Sequence, residues 1–309
     1  MKSPVLSILF LLISVTLLAV PNDFRFRHFS VEDGFSSISV RAIMQDKYGF
    51  LWIGTDEGLN RYDGIMIKSY SICPQAAGKY ISSLYGTKKN IWIGTDEGIY
   101  IYAYATETFT YFDLTTPNNV RITSIVNHIL QDKDGNLWFS TNGQGLFRYN
   151  LSKNYLEQYE FTSAFGIVAS TMADSDNQIW ALTNQGESGV YKLNKAENKF
   201  EPFGLLYNAG NHHSQALAML EDSEQTLWLG TWECGLQKID KYTRQTTTYL
   251  HPTDGKGVTH IHSLMEYAPH QLLIGSDDGL LLFNTLTEEY KLFTENETVP
   301  NSLSNRFVY

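Results

Sequence analysis

The sequence predicts an all-β propeller of four-stranded blades, and three observations carry that prediction. A short apolar unit returns six times, each copy runs into a turn-and-strand segment, and no segment after residue 20 has helical periodicity. The unit is clearest at Leu51-Trp52-Ile53-Gly54-Thr55 and at Ile91-Trp92-Ile93-Gly94-Thr95. It recurs around Trp138, Trp180 and Trp228, and a sixth time at Leu272-Leu273-Ile274-Gly275-Ser276, where Leu273 replaces the indole. The positions 52, 92, 138, 180, 228 and 273 are separated by 40, 46, 42, 48 and 45 residues. A repeat of roughly 40–50 residues is the period of propeller blades.

Within a repeat the elements follow in a fixed order. A first strand (Val40–Gln45) leads through Asp46-Lys47-Tyr48-Gly49 to a second, Leu51–Thr55. Asp56-Glu57-Gly58 turns the chain into a third strand, and Asp63-Gly64 leads to a fourth. Gly in such turns takes positive φ without steric cost, which is why Asp-Gly and Glu-Gly between strand-like runs read as hairpins. Alternating Phe24-Arg25-Phe26-Arg27-His28-Phe29 has no partner strands before it, so it reads as the fourth strand of a blade begun elsewhere. Asn301–Tyr309 resembles Asp33–Val40, the approach to a first strand. Six complete blades plus a partial seventh are therefore expected, as a fragment of a seven-bladed ring that latches its own edges.

Composition narrows the function. The chain has 309 residues, is 43% hydrophobic, and carries a formal net charge of −10. It can bury a large core, and an acidic chain without basic clusters is a poor match for nucleic acid. Cys73 and Cys234 lie in different repeats and are read as separate thiols. Residues 1–20 begin with Lys2 and continue in a short apolar run, the pattern of a secretory signal peptide, with an uncleaved anchor as the alternative. Residues 21–309 form the propeller domain.

The repeat resembles the two-component regulator propeller repeat. The residues that carry the likeness are Phe35-Ser36-Ser37, Val40-Arg41-Ala42-Ile43-Met44-Gln45-Asp46, Gly49-Phe50-Leu51-Trp52-Ile53-Gly54-Thr55 and Gly58-Leu59-Asn60-Arg61-Tyr62-Asp63. The resemblance covers residues 24–309, with Ala181-Leu182 and Leu273 as departures. It implies the periplasmic sensor half of a hybrid two-component system anchored in the inner membrane, a homodimer when complete. It also implies downstream membrane-spanning and histidine kinase domains, and recognition of an oligosaccharide.

Architecture and recognition are expected on different residues. Trp52, Trp92, Trp138, Trp180 and Trp228 read as wedges between blades, each burying on the order of 200 Å². Specificity is expected on loops. The turns between second and third strands supply Asp56, Glu57, Asp96, Glu97, Asn142, Gln144, Asn184, Glu187, Trp232, Glu233, Asp277 and Asp278, and a long connection on the same face adds His212 and His213. Such polar groups suit sugar hydroxyls, and Trp232 offers an apolar ring to a sugar's C–H face. His260 and His262, spaced by two, share one strand face but do not make a zinc pattern, and Asp132–Asn136 lacks the later glutamate of a calcium loop. No metal, cofactor or catalytic residue is expected. The competing readings are a polysaccharide lyase or hydrolase on the same fold, and a protein-binding scaffold.

Overall fold

The structure is a computed structural model that describes residues 24–72, 79–161, 166–183, 189–205, 215–251, 257–296, 298–299 and 301–309. Residues 1–20, Cys73, Asn184, Glu187, His212 and His213 lie outside the described residues. The described residues form six antiparallel four-stranded sheets arrayed as the blades of a propeller.

Blade 1 holds β1 (Val40–Gln45), β2 (Leu51–Thr55), β3 (Gly58–Tyr62) and β4 (Ile67–Tyr70), and blade 2 holds β5 (Ile81–Gly86), β6 (Asn90–Thr95), β7 (Gly98–Ala103) and β8 (Thr108–Tyr111). Blade 3 follows with β9 (Val126–Gln131), β10 (Leu137–Thr141), β11 (Leu146–Asn150) and β12 (Tyr155–Tyr159). Blade 4 is β13 (Val168–Ala173), β14 (Ile179–Thr183), β15 (Gly189–Asn194) and β16 (Lys199–Leu205). Blade 5 is β17 (Ala216–Glu221), β18 (Leu227–Thr231), β19 (Leu236–Ile239) and β20 (Thr246–Tyr249). Blade 6 closes the series with β21 (Ile261–Ala268), β22 (Gln271–Ser276), β23 (Gly279–Asn284) and β24 (Tyr290–Phe293). The first strands β1, β5, β9, β13, β17 and β21 lie side by side in that order, so each blade runs outward from the centre.

The repeated indole sits between neighbouring sheets. Trp52 meets Tyr102 of blade 2 at 5.0 Å between ring centroids, Trp92 meets Phe139 of blade 3 at 5.7 Å, and Trp228 meets Phe283 of blade 6 at 6.2 Å. A buried indole N–H needs an acceptor, and a turn aspartate six residues earlier provides it. Trp52, Trp138, Trp180 and Trp228 donate to Asp46, Asp132, Asp174 and Asp222 at 2.8, 2.8, 2.9 and 2.7 Å. The other oxygen of each aspartate accepts backbone N–H groups of its own turn, as Asp132 does from Asn136 at 2.8 Å. One side chain thus shapes the first hairpin and fixes the wedge. The small residue beside the wedge permits close approach: a Cβ on Gly230 would lie 2.5 Å from the Ile261 side chain of the next blade.

One expectation changes in detail. Phe24–Phe29 is not a sheet strand: among the described residues no strand pairs with it. Its half-buried Phe24 and Phe26 pack on blade 6, at 5.1 and 6.1 Å from Phe293, while the exposed Phe29 leans on Tyr62 of blade 1 at 5.2 Å. The approach to β1 contains a three-residue 3₁₀ turn, Val31–Asp33, in which Ser30 and Asp33 cap one another.

One half-buried histidine makes stability depend on pH. The Nδ1 of His128 on β9 is buried without a hydrogen-bond partner, and desolvation pushes the ring's pKa down to about 4 from an ordinary 6.5. The unfolded chain therefore binds a proton at a pH where the folded one does not. The stabilising preference for the neutral ring is complete above pH 6.5 and is lost as pH falls toward 4. Between pH 7.5 and pH 5 this group is expected to remove about 2 kcal/mol. Urea unfolding of wild type and His128→Leu at both pH values checks it: the variant should lose that much less, and identical losses would contradict the assignment.

Candidate functional site

The face that carries the second-to-third-strand turns is built by the last residue of each second strand. The hydroxyls of Thr55, Thr95, Thr141, Thr231 and Ser276 donate to the carbonyls of Gly58, Gly98, Gly145, Gly235 and Gly279, at 2.6–3.0 Å. The same oxygens accept the N–H of Glu57, Glu97, Gln144, Cys234 and Asp278 at 2.9–3.2 Å. Each turn is thereby closed on itself, and the intervening side chains are held at the rim. Gly235 shows why glycine ends the turn: its φ is +66°, and a Cβ there would lie 2.5 Å from the Leu250 carbonyl.

The structure distributes the rim residues around the ring and brings only some together. Asp56 is half-buried, with the Ser37 hydroxyl holding its carboxyl below the usual range. Glu57, Asp96 and Asn142 are exposed on separate blades, and Glu97 pairs with Lys79. Gln144 is committed to the preceding loop: its Oε1 accepts from the backbone of Thr123 and Ser124 at 2.9 and 3.0 Å, and its Nε2 donates to the Arg121 carbonyl at 2.9 Å. Asp278 likewise accepts from the N–H and hydroxyl of Thr259 at 2.8 and 2.9 Å. Glu233 is exposed beside Trp232.

Blades 5 and 6 carry the one dense constellation among the described rim residues. Trp232 is 40% exposed and stacks on the His260 ring at 3.8 Å, with 25° between the planes. The Nδ1 of His260 bonds to one carboxylate oxygen of Asp277, and His262 Nε2 meets the other at 2.7 Å. Tyr309 lies against His262 with centroids 4.7 Å apart. Burial works to raise the Asp277 carboxyl, but the two imidazoles outweigh it and hold it below the usual carboxylate range. An ionised Asp277 only accepts, so His260 presents a proton on Nδ1 and His262 on Nε2, and the other nitrogen of each ring is turned away from Asp277.

Backbone geometry supports this arrangement. His260 has φ of +47°, a left-handed conformation that costs an L-residue about 1–2 kcal/mol. Its N–H donates to the Trp232 carbonyl at 3.1 Å, which ties the two turns together. Ile261 pairs with Ser276 and Ser263 with Gly275, so His262 falls in a bulge at the start of β21. The sequence signals were a tryptophan on a polar turn and the His-x-His spacing. Tyr309 carried none, since it is placed there by the chain's return past blade 6. Among the described residues no group of His, Cys, Asp or Glu is arranged to hold a metal ion. This part of the rim thus offers two aromatic rings, two imidazoles and a carboxylate, groups whose chemistry is stacking and hydrogen bonding.

Comparison with known proteins agrees with the repeat pattern. Residues 34–57 and 120–143 match the two component regulator propeller family. Over 68 residues the chain is 44% identical to "Histidine kinase P4" of Formosa agariphila, a match covering 22% of this chain and 5% of that protein. The fold matches the extracellular domain of the putative hybrid two component system BT3049 from B. thetaiotaomicron with a TM-score of 0.77 at 23% identity, over 92% of this chain and 38% of that one. It also matches virginiamycin B lyase from Staphylococcus aureus, with a TM-score of 0.63 at 15% identity over 82% of this chain and 83% of the lyase. The chain thus spans well under half the length of the two signalling proteins it matches. Two of its repeats match the two component regulator propeller model, and the described residues fold as a β-propeller like the extracellular domains of hybrid two-component systems.

Proposed function

We propose that the chain is the ligand-sensing propeller of a hybrid two-component signalling protein, exported to the periplasm, and that it recognises an oligosaccharide at the rim of blades 5 and 6. The observation that carries this reading is the Trp232–His260–Asp277–His262 constellation, on a face otherwise made of closed polar turns. One face of the Trp232 ring lies on His260, and the remaining exposed surface suits the C–H face of a pyranose. The imidazole nitrogens turned away from Asp277 match sugar hydroxyls, which both donate and accept.

In this reading the bound sugar biases the packing of the propeller against its neighbours, and a kinase domain elsewhere in the intact, dimeric protein reads that bias. The propeller itself does no chemistry. Calorimetric titration with a panel of neutral and uronate oligosaccharides tests the reading, with reducing ends and unsaturated products assayed in parallel. Heat without product is expected, and Trp232→Ala should weaken the binding at least tenfold, a loss of about 1.4 kcal/mol or more. Product formation would instead make the chain a lyase or hydrolase, and silence across the panel would favour a protein-binding scaffold.

A further inference from the structure

The junction of blades 3 and 4 and that of blades 4 and 5 start from the same plan and end differently. In each, a cation of the third strand lies opposite the wedge, Arg148 beside Trp138 and Lys192 beside Trp180. Its other cross-strand neighbour is a glutamate of the fourth strand, Glu157 or Glu201. At the first junction this set closes on itself. Arg148 pairs with Glu157 at 2.5 Å, and Asn198 of blade 4 donates its amide to the same carboxylate at 2.7 Å. The Tyr159 hydroxyl completes the set by donating to Asn198 at 2.8 Å.

At the second junction the partners have changed. Arg244 takes the place of Asn198 on the turn between third and fourth strands, with the same left-handed backbone, φ +63° against +51°. Phe203 takes the place of Tyr159 against the wedge, 4.8 Å from Trp180 between centroids, and has no hydroxyl to offer. Arg244 lies over the Phe203 ring at 5.0 Å and Lys192 over Trp180 at 5.2 Å, so both cations rest on aromatic faces. Glu201 accepts from the Asn194 amide at 2.8 Å, and the other carboxylates nearby, Asp174, Asp176 and Glu221, gather around Lys241. Lys195 adds a third cation, and among the described residues no ion pair joins Lys192, Lys195 or Arg244 to a carboxylate. The result is a cleft of about 380 Å³ lined by these three cations and Glu201, against about 160 Å³ at the first junction.

We propose that this cleft is a second binding site, for a phosphate group, free or carried as a monoester on a small polar molecule. Three cations against one carboxylate leave an excess of two positive charges, and a phosphate monoester carries close to two negative charges at neutral pH. Arg244 offers N–H donors in a planar fork that fits two phosphate oxygens, and the two lysines act as point charges. The cleft volume lies within the roughly 300–1,000 Å³ of small-molecule sites. The turns that form it lie on the face opposite Trp232, so this site is independent of the ligand proposed above.

Calorimetric titration of the full chain at low ionic strength tests this, with glucose 6-phosphate, inorganic phosphate, glucose 6-sulfate and glucose as the four probes. Glucose 6-phosphate should bind, glucose 6-sulfate with its single charge should bind severalfold more weakly, and glucose should give no heat. Inorganic phosphate binding as tightly as the ester would identify the free ion as the ligand, and weaker binding would identify an ester; both outcomes uphold the site. The double variant Lys195→Gln/Arg244→Gln should weaken the phosphate at least tenfold and still melt like wild type, since both side chains are exposed. Lys238→Gln, which removes the corresponding cation over Trp228, and Trp232→Ala at the opposite rim should both leave phosphate binding unchanged. No heat with either phosphate, a sulfate ester bound as tightly as the phosphate, or a double variant that binds like wild type would overturn the assignment.

Discussion

Replacing Trp138 by alanine is expected to destabilise the protein by about 4 kcal/mol, within the range for deleting a fully buried indole. Trp138 is 1% exposed and is wedged between blades 3 and 4, with Tyr159 at 5.5 Å and Phe200 at 6.1 Å between ring centroids. The cavity left behind has rigid sheet on both sides and cannot collapse without moving a blade. The loss is compounded because the indole N–H satisfies Asp132, a buried carboxylate that also holds the hairpin turn through Asn136. Trp138→Phe refills most of the volume but not the hydrogen bond, so it should fall between the two. Urea unfolding measures all three proteins. A midpoint for Trp138→Ala equal to wild type would show that the wedge does not carry the interface.

Lys241→Ala should cost about 3–5 kcal/mol, for an electrostatic reason. Lys241 follows β19 in blade 5, and its side chain is 6% exposed. Its Nζ lies 2.5 Å from Glu221, 3.6 Å from Asp174 and 3.8 Å from Asp176. Burial disfavours the ammonium, yet the hydrogen bond to Glu221 and the neighbouring aspartates outweigh it, and its pKa is raised. Two of its carboxylate partners are themselves buried, with side chains 2% and 9% exposed. Removing the cation leaves these charges facing one another across the junction of blades 4 and 5. Glu221 also accepts from Ser175 in the first hairpin turn of blade 4, so the junction loses its order together with its charge balance. The double variant Lys241→Ala/Glu221→Gln should be less destabilised than the sum of the single ones, because the second change removes one stranded charge. Strict additivity would mean that the two groups act separately.

The contrast between these sites shows what a sequence makes legible. The wedge was legible because its signal is local: an apolar pair, an indole and a small residue repeat on consecutive positions. The aspartate that binds the indole was equally present, six residues upstream in four repeats, but as a turn residue it drew attention only for its backbone role. Lys241 was not legible at all. In sequence it sits in a polar turn, and its partners come from two strands' ends 20 to 67 residues earlier, brought together only when blade 5 docks on blade 4.

The rim behaved in the same way. Trp232 and the His260/His262 pair each stood out against their surroundings, but nothing in their spacing joined them. The link is Asp277, which looks like every other turn carboxylate until the inter-blade contact sets it between two imidazoles. Phe24–Phe29 shows the opposite error: its alternation is that of a strand, but a strand is a pairing, and the described residues offer it only a backbone bond to Asn301.

Amide hydrogen exchange with and without the tightest-binding oligosaccharide of the panel decides where recognition takes place. Added protection is expected at residues 231–233, 259–262 and 276–278, where the blade 5 and blade 6 turns meet, and should be lost in Trp232→Ala. Protection confined to the opposite face, at the Asp132 and Asp174 turns, or protection undiminished in the variant, would contradict recognition at this rim.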